Sequence, residues 1–238
     1  AAYHSTEAGL RNGSIWANCM WLKGVVMKAH YNGLIPRNPF IQFHISPNVK
    51  EREYLTEDEL KAVMTHEFAD SKLAYIRDIF IFASFTALSF VDIQELTNDN
   101  IVEVNGEKWI LSKRHKTKVA FQVKLLDIPL QIIERYRPMQ KDNRIFPGLN
   151  YWSICKPLKR MIRECGITKS ISFHCSRHGF ATLALSKGMP IESVSRVLGH
   201  TNIVTTQLYA KITTQKLDND LTMFGDKLSK TFNGITMS

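Results

Sequence analysis

Along most of the chain apolar residues recur at helical spacing, and only between residues 100 and 126 do they switch to the alternation of strands. Ile15, Leu22, Val25, Val26 and Ala29 share one face and predict a helix over 14–32, which Asn32-Gly33 stops. Pro36-Arg37-Asn38-Pro39 reads as a connector, and Phe40 to Ile45 as a short extended piece. The polar, aperiodic run from Ser46 to Glu53 predicts a linker and a domain boundary. Thr56, with Glu59 three residues on, is a capping box that opens the next helix. A strongly apolar helix over 72–87 follows and runs into FTALSFVDI.

Around Asn105-Gly106 the period changes. Val102 and Val104 on one side, and Trp109 and Leu111 on the other, predict a hairpin. A third strand, Val119 to Leu125, follows the basic turn Arg114-His115-Lys116-Thr117-Lys118. Helices are expected over 129–137, 151–164, 174–186, 191–198 and 201–209, the last three separated by Gly188-Met189-Pro190 and Gly199. Leu217, Leu221, Phe224 and Leu228 line one face of a final helix, most simply as core packing. The fold class is mainly α with a small antiparallel β-sheet (α+β). It divides into a partial helical domain over 1–48 and a larger domain over 49–238.

At 238 residues, 44% hydrophobic and 22% charged, the chain suits one large core with or without a small satellite. No apolar run reaches the ~20 residues that a membrane-spanning helix needs. The absence of an initiator Met and of a signal-like start is expected of a cut or processed fragment. A net charge of +9 favours an anionic partner. Lys113, Arg114, Lys116 and Lys118 cluster, as do Lys156, Lys159, Arg160 and Arg163, and basic patches spread over folded segments suggest a nucleic-acid surface. Cys19, Cys155, Cys165 and Cys175 show no C-x-x-C spacing and are expected as reduced core residues.

Three C-terminal features carry chemistry. In His174-Cys175-Ser176-Arg177 the imidazole and guanidinium lie one helical turn apart. The guanidinium fork suits phosphate oxygens, and the imidazole can donate or shuttle a proton. In Leu198-Gly199-His200 the glycine ends a helix and places His200 at the head of the next. Tyr209 follows nine residues later.

In this order and at this spacing, FHCSRHGFATLALSKGMPIESVSRVLGHTNIVTTQLYAKI resembles the C-terminal boxes of the tyrosine recombinase (phage integrase) family. RHKTK resembles the family's β-hairpin lysine box, at Lys116, and FTALSFVDIQEL its first arginine box. The segment from Ile15 to Phe40 resembles the last helix of the family's core-binding domain and its linker. The likeness covers about residues 14–210, and is strongest to recombinases of bacterial mobile elements. One departure stands out: Ser89 occupies the position of the family's first arginine, with the acidic partner retained as Asp92.

The resemblance implies a cytoplasmic, nucleoid-associated DNA recombinase that needs no cofactor or metal. It would act on double-stranded DNA as a homotetramer on paired sites and be a monomer when free. Tyr209 would attack phosphorus to give a 3′-phosphotyrosyl link, and Arg177 and His200 would stabilise the charge that develops. His174 would position the tyrosyl group or accept its proton, and Lys116 would protonate the leaving 5′-oxygen. The final helix would dock on a neighbouring protomer. Alternate residues on a strand face the same way, so Arg114 and Lys118 are expected to flank Lys116 on its side of the hairpin. Arg114 is then either the compensating phosphate clamp or, with Lys113 and Lys118, a DNA-backbone contact. Arg77 is a poorer substitute, roughly 18 Å along a helix from Ser89. Rival readings are a type IB topoisomerase-like enzyme, an impaired DNA-binding protein of the same fold, and a metalloprotein using His174, Cys175, His178 and His200.

Overall fold

The computed structural model describes residues 12–44, 53–115, 118–140, 142–210 and 214–231, and divides into two compact units, residues 1–51 and 52–238. In the first unit, α1 (Asn12–Tyr31) ends where Gly33 turns left-handed at φ +71 and lets Leu34 N–H reach back to the Ala29 carbonyl. Residues 40–44 make turns instead of the extended piece anticipated. The Asn38 side chain accepts the Phe40 N–H, and Phe43 N–H donates to the Phe40 carbonyl. Ile45 and most of the anticipated linker, through Arg52, lie outside the described residues.

In the second unit, α2 (Glu57–Thr65) opens with the capping box: Thr56 N–H donates to Glu59 at 2.7 Å, and Glu59 N–H to Thr56 at 3.3 Å. Next comes α3 (Ser71–Thr86), strongly apolar and buried all round over residues 79–84, with Leu73, Ile76, Ile79, Phe80, Ile81 and Phe82 buried. A helix of that kind can only be central. Against it pack α5 (Asp127–Tyr136), α6 (Tyr151–Glu164) and α7 (Cys175–Ser186). Its one buried carboxylate, Asp78, accepts from Arg77, Arg135 and Tyr136, so the core keeps a charge only with its partners in place.

As expected, α3 ends within FTALSFVDI: Ala87 adopts φ +56, and α4 (Phe90–Gln94) starts afresh after Ser89. Ser89 and Asp92 form a second capping box there. That local bonding competes with helix continuation and wins. The sheet runs in the order β1 (Ile101–Val104), β2 (Glu107–Lys113), β3 (Ala120–Lys124), all antiparallel. Asn105 and Gly106 are both left-handed, as a two-residue hairpin turn matched to strand twist requires. One face buries Ile110, Phe121 and Val123. Beyond α7 lie α8 (Ile191–Leu198), which packs on α7 and β3, then α9 (Val204–Gln207), shorter than the helix expected over 201–209.

The last helix, α10 (Thr214–Thr231), overturns the core-packing reading of its stripe. Leu221 is 60% and Phe224 58% exposed, with Leu217 and Leu228 also exposed. The four cysteines are free thiols, although only Cys175 is fully buried. Among the described residues no helix is long and apolar enough to cross a membrane.

Candidate active site

The site is built around the C-terminus of α8. Gly199 (φ +62) donates its N–H to the Arg196 carbonyl, and His200 N–H reaches the Ser195 carbonyl, both at 3.0 Å. This paired closure turns the chain sharply. It leaves the Val197 and Leu198 carbonyls at the negative end of the helix, where cations are favoured. Two guanidinium groups take them. Arg177, from α7, donates one terminal N–H to Leu198 and another, at 2.9 Å, to the carbonyl of Ala87, the left-handed residue that ends α3. Arg114 donates to the Val197 carbonyl at 2.6 Å.

Arg114 follows the last residue of β2, and its side chain is turned into the core, only 5% exposed. Its other terminal nitrogen donates to Asp92 Oδ2 at 2.7 Å, and its guanidinium carbon sits 4.0 Å from the centre of the Phe121 ring. The same carboxylate accepts the Ser89 hydroxyl at 2.8 Å and the His115 backbone N–H at 3.1 Å. Burial alone would raise the Asp92 pKa. The His115 N–H, the Arg114 guanidinium and the Ser89 hydroxyl outweigh it and hold the carboxyl below its ordinary range.

Strand alternation therefore does not govern Arg114, which lies past the end of β2 at Lys113. The residue leaves the strand and fills the space next to the acid of the first box. Lys116 lies outside the described residues. Lys113 and Lys118 are exposed, and Lys118, left-handed at φ +56, donates its N–H to the Arg114 carbonyl. Arg77 is engaged with Asp78 and the His66 carbonyl.

Arg177 is 9% exposed, and its pKa falls to about 10 through burial first and the neighbouring Arg114 charge second. Tyr209 contributes to the same group's electrostatics in the opposite sense. His200 Nδ1 lies 2.8 Å from the buried Thr206 hydroxyl. Burial first, then Arg177, Arg114 and His174, push its pKa down to about 4, so near neutral pH it is an uncharged imidazole. When Nδ1 accepts the Thr206 proton, Nε2 carries the hydrogen and can donate it to an anion. His174, exposed at the head of α7, has its ring 4.7 Å from that of His178, which lies 5.1 Å from the Tyr209 ring. Tyr209 is half-buried against the cluster of Ala87, Ala181, Leu185, Val194 and Leu198.

Tyr209, Arg177, Arg114, His200 and His174 thus form one electrostatically connected group, drawn from segments spread over residues 114–209. Three contributors were not apparent from the sequence. Phe121 sits in an ordinary alternating strand, Thr206 has no motif of its own, and Ala87 acts through its carbonyl. Among the described residues no group of three His, Cys, Asp or Glu side chains is placed to hold a metal ion, and Cys175 Sγ instead meets the Ser172 N–H and hydroxyl at 3.3 Å.

A central apolar helix, a three-stranded sheet and paired arginines at a helix C-terminus beside a tyrosine define a catalytic domain of the tyrosine recombinase type. The chain belongs to the phage integrase family, which it matches over residues 53–216. It is 32% identical over 177 residues to the tyrosine recombinase XerA of Pyrococcus horikoshii, covering 68% of this chain and 58% of the relative. It is 26% identical over 204 residues to XerD of Listeria innocua, covering 79% and 67%. The chain thus spans between about a half and two thirds of the length of these relatives. Its fold is similar to that of the Tn1549 transposon integrase solved with a circular intermediate DNA, at TM-score 0.79 and 18% identity over 93% of this chain and 82% of that one. It is also similar to the lambda integrase bound to a core site, at TM-score 0.62 and 18% identity over 79% and 56%.

Proposed function

We propose that the chain is the catalytic part of a site-specific DNA recombinase that cleaves and rejoins strands through Tyr209. The phenol oxygen bonds to the scissile phosphorus as the bond from phosphorus to the 5′-oxygen breaks. The tyrosyl proton passes to His174 or to water it positions, and the leaving 5′-oxygen takes a proton from Lys116. A 5′-hydroxyl from a partner strand reverses the sequence, so the bond energy is conserved without a nucleotide. A phenol with a pKa near ~10 needs nearby positive charge to attack.

Arg177 and Arg114 supply that charge and clamp the non-bridging oxygens, while neutral His200 adds one N–H. The observation that carries the reading is the placement of Arg114. It is hydrogen-bonded to the acid of the first box and adjacent in charge to Arg177, so a second guanidinium is present although Ser89 is not one. Its burial favours a role as clamp over one as surface DNA-backbone contact, a role we assign to Lys113 and Lys118.

The exposed stripe on α10 supports docking on a neighbouring protomer in a DNA-bound tetramer, with a monomer when free. Residues 1–48 carry an α1 whose apolar residues Trp21, Leu22 and Val25 remain exposed, as in a piece of a larger core-binding domain. Integration or excision of a mobile element, in the bacterial cytoplasm on the nucleoid, is the setting this chemistry serves. The test is a nicked recombination site from the host element, on which attack releases a short fragment and strands the intermediate. The native chain should give a denaturation-resistant DNA adduct that Tyr209→Phe does not give while still binding DNA. An adduct that persists in the variant rules out Tyr209.

A further inference from the structure

We propose that Phe121 and Gly199 are positioning residues that hold Arg114 in the place a first-box arginine would otherwise occupy. The ring of Phe121 supports the guanidinium, and the missing side chain of Gly199 leaves its shaft a path. The functional half of this inference rests on the reading of Arg114 as phosphate clamp.

Arg114 approaches Asp92 from the end of β2, so its side chain has to pass the C-terminus of α8 to meet the Val197 carbonyl. That passage is narrow. A Cβ on residue 199 would stand 2.9 Å from Arg114 Nε, 3.0 Å from its Cγ and 3.5 Å from its Cδ. The first is closer than a Cβ settles against a neighbouring atom, and the second requires that neighbour to give by a few tenths of an ångström. Glycine at 199 therefore meets two demands, the left-handed turn that ends α8 and clearance for a side chain arriving from another element.

The guanidinium needs support beyond its two hydrogen bonds, because its Nε is buried with no acceptor. Phe121 provides it. The negative face of an aromatic ring attracts a cation most strongly where water is excluded, and here the guanidinium carbon lies 4.0 Å from the ring centre with Arg114 5% and Phe121 4% exposed. A phosphate clamp works by being fixed before charge develops. Asp92, the Val197 carbonyl and the ring together fix this one.

Two measurements separate positioning from general packing. Pentafluorophenylalanine at position 121 keeps the ring's shape and reverses the polarity of its face. Single-turnover cleavage at saturating protein should fall roughly ten- to thirtyfold, with DNA affinity unchanged. A rate equal to that of the native chain overturns the role of Phe121. For Gly199, thermal stability gives a readout that does not need activity. Gly199→Ala should be clearly less destabilising in an Arg114→Ala background, where the clash is gone and only the backbone strain remains, than alone. Equal losses in both backgrounds overturn the role of Gly199. If Arg114→Ala by itself cleaves normally, the clamp reading fails, and the stability cycle still tests the slot.

Discussion

Ser89 gives Asp92 a hydroxyl where a guanidinium would stand, and Arg114 brings a guanidinium to the same carboxylate from a different element. The two arginines tolerate each other because each is tied to a carbonyl at the end of α8. His200 shares the field. Its folded pKa, about 4, lies below the ordinary value of 6.5, so between those limits the unfolded chain binds more protons than the folded one. Stability contributed by neutral His200 is full above about pH 6.5 and is lost as pH falls toward 4. Asp92, shifted downward, adds its own loss only below the ordinary carboxylate range. Thermal melts at about pH 7 and about pH 5 should show a smaller drop for His200→Asn than for the native chain. Equal drops would mean that His200 is not held neutral. At this scale the box order singled out Tyr209, Arg177, His200 and His174, and the search for a cation singled out Arg114, five groups that the structure brings together. The sequence hid the Arg114 route, because strand alternation breaks where β2 stops at Lys113.

Elements were legible where local chemistry decides them. The Thr56–Glu59 box, the Asn105-Gly106 hairpin and the strongly apolar α3 each carry their own signal. The end of α3 near residue 87 was legible too, but the left-handed backbone of Ala87 was not. An alanine at φ +56 is unfavourable locally, and its carbonyl is taken by Arg177, a contact made across 90 residues of sequence. The stripe on α10 was legible as a pattern but not in its exposure, since helical periodicity gives an apolar face and not what covers it. Replacing Leu221 and Phe224 together by serine should shift stability by no more than about 0.5 kcal/mol, as for exposed positions. It should also abolish the higher-order protein–DNA complex on paired sites, as read by sedimentation. A double variant that assembles normally would remove α10 as the docking element, and one that melts far earlier would return it to the core.

In the molecule as a whole, the ends of α3 and α8, the β2–β3 hairpin and the head of α7 converge on one point. The net charge of +9 would supply long-range attraction for the proposed DNA partner. Family membership came from the order of boxes along the chain. The route of Arg114 to Asp92 came only from the convergence, because Asp92, Arg114 and Val197 are separated by 22 and 83 residues. The most direct test of the proposed clamp is single-turnover cleavage of a nicked site at saturating protein by Arg114→Ala, with Ser89→Arg then added to it. Loss of one preorganised donor to a developing oxyanion costs ~2.7–4 kcal/mol, so Arg114→Ala should cleave roughly 10²–10³-fold more slowly while still binding DNA. Ser89→Arg, entering the space Arg114 has vacated beside Asp92, should restore part of the rate. A near-native cleavage rate in Arg114→Ala, with only its DNA affinity reduced, would contradict it.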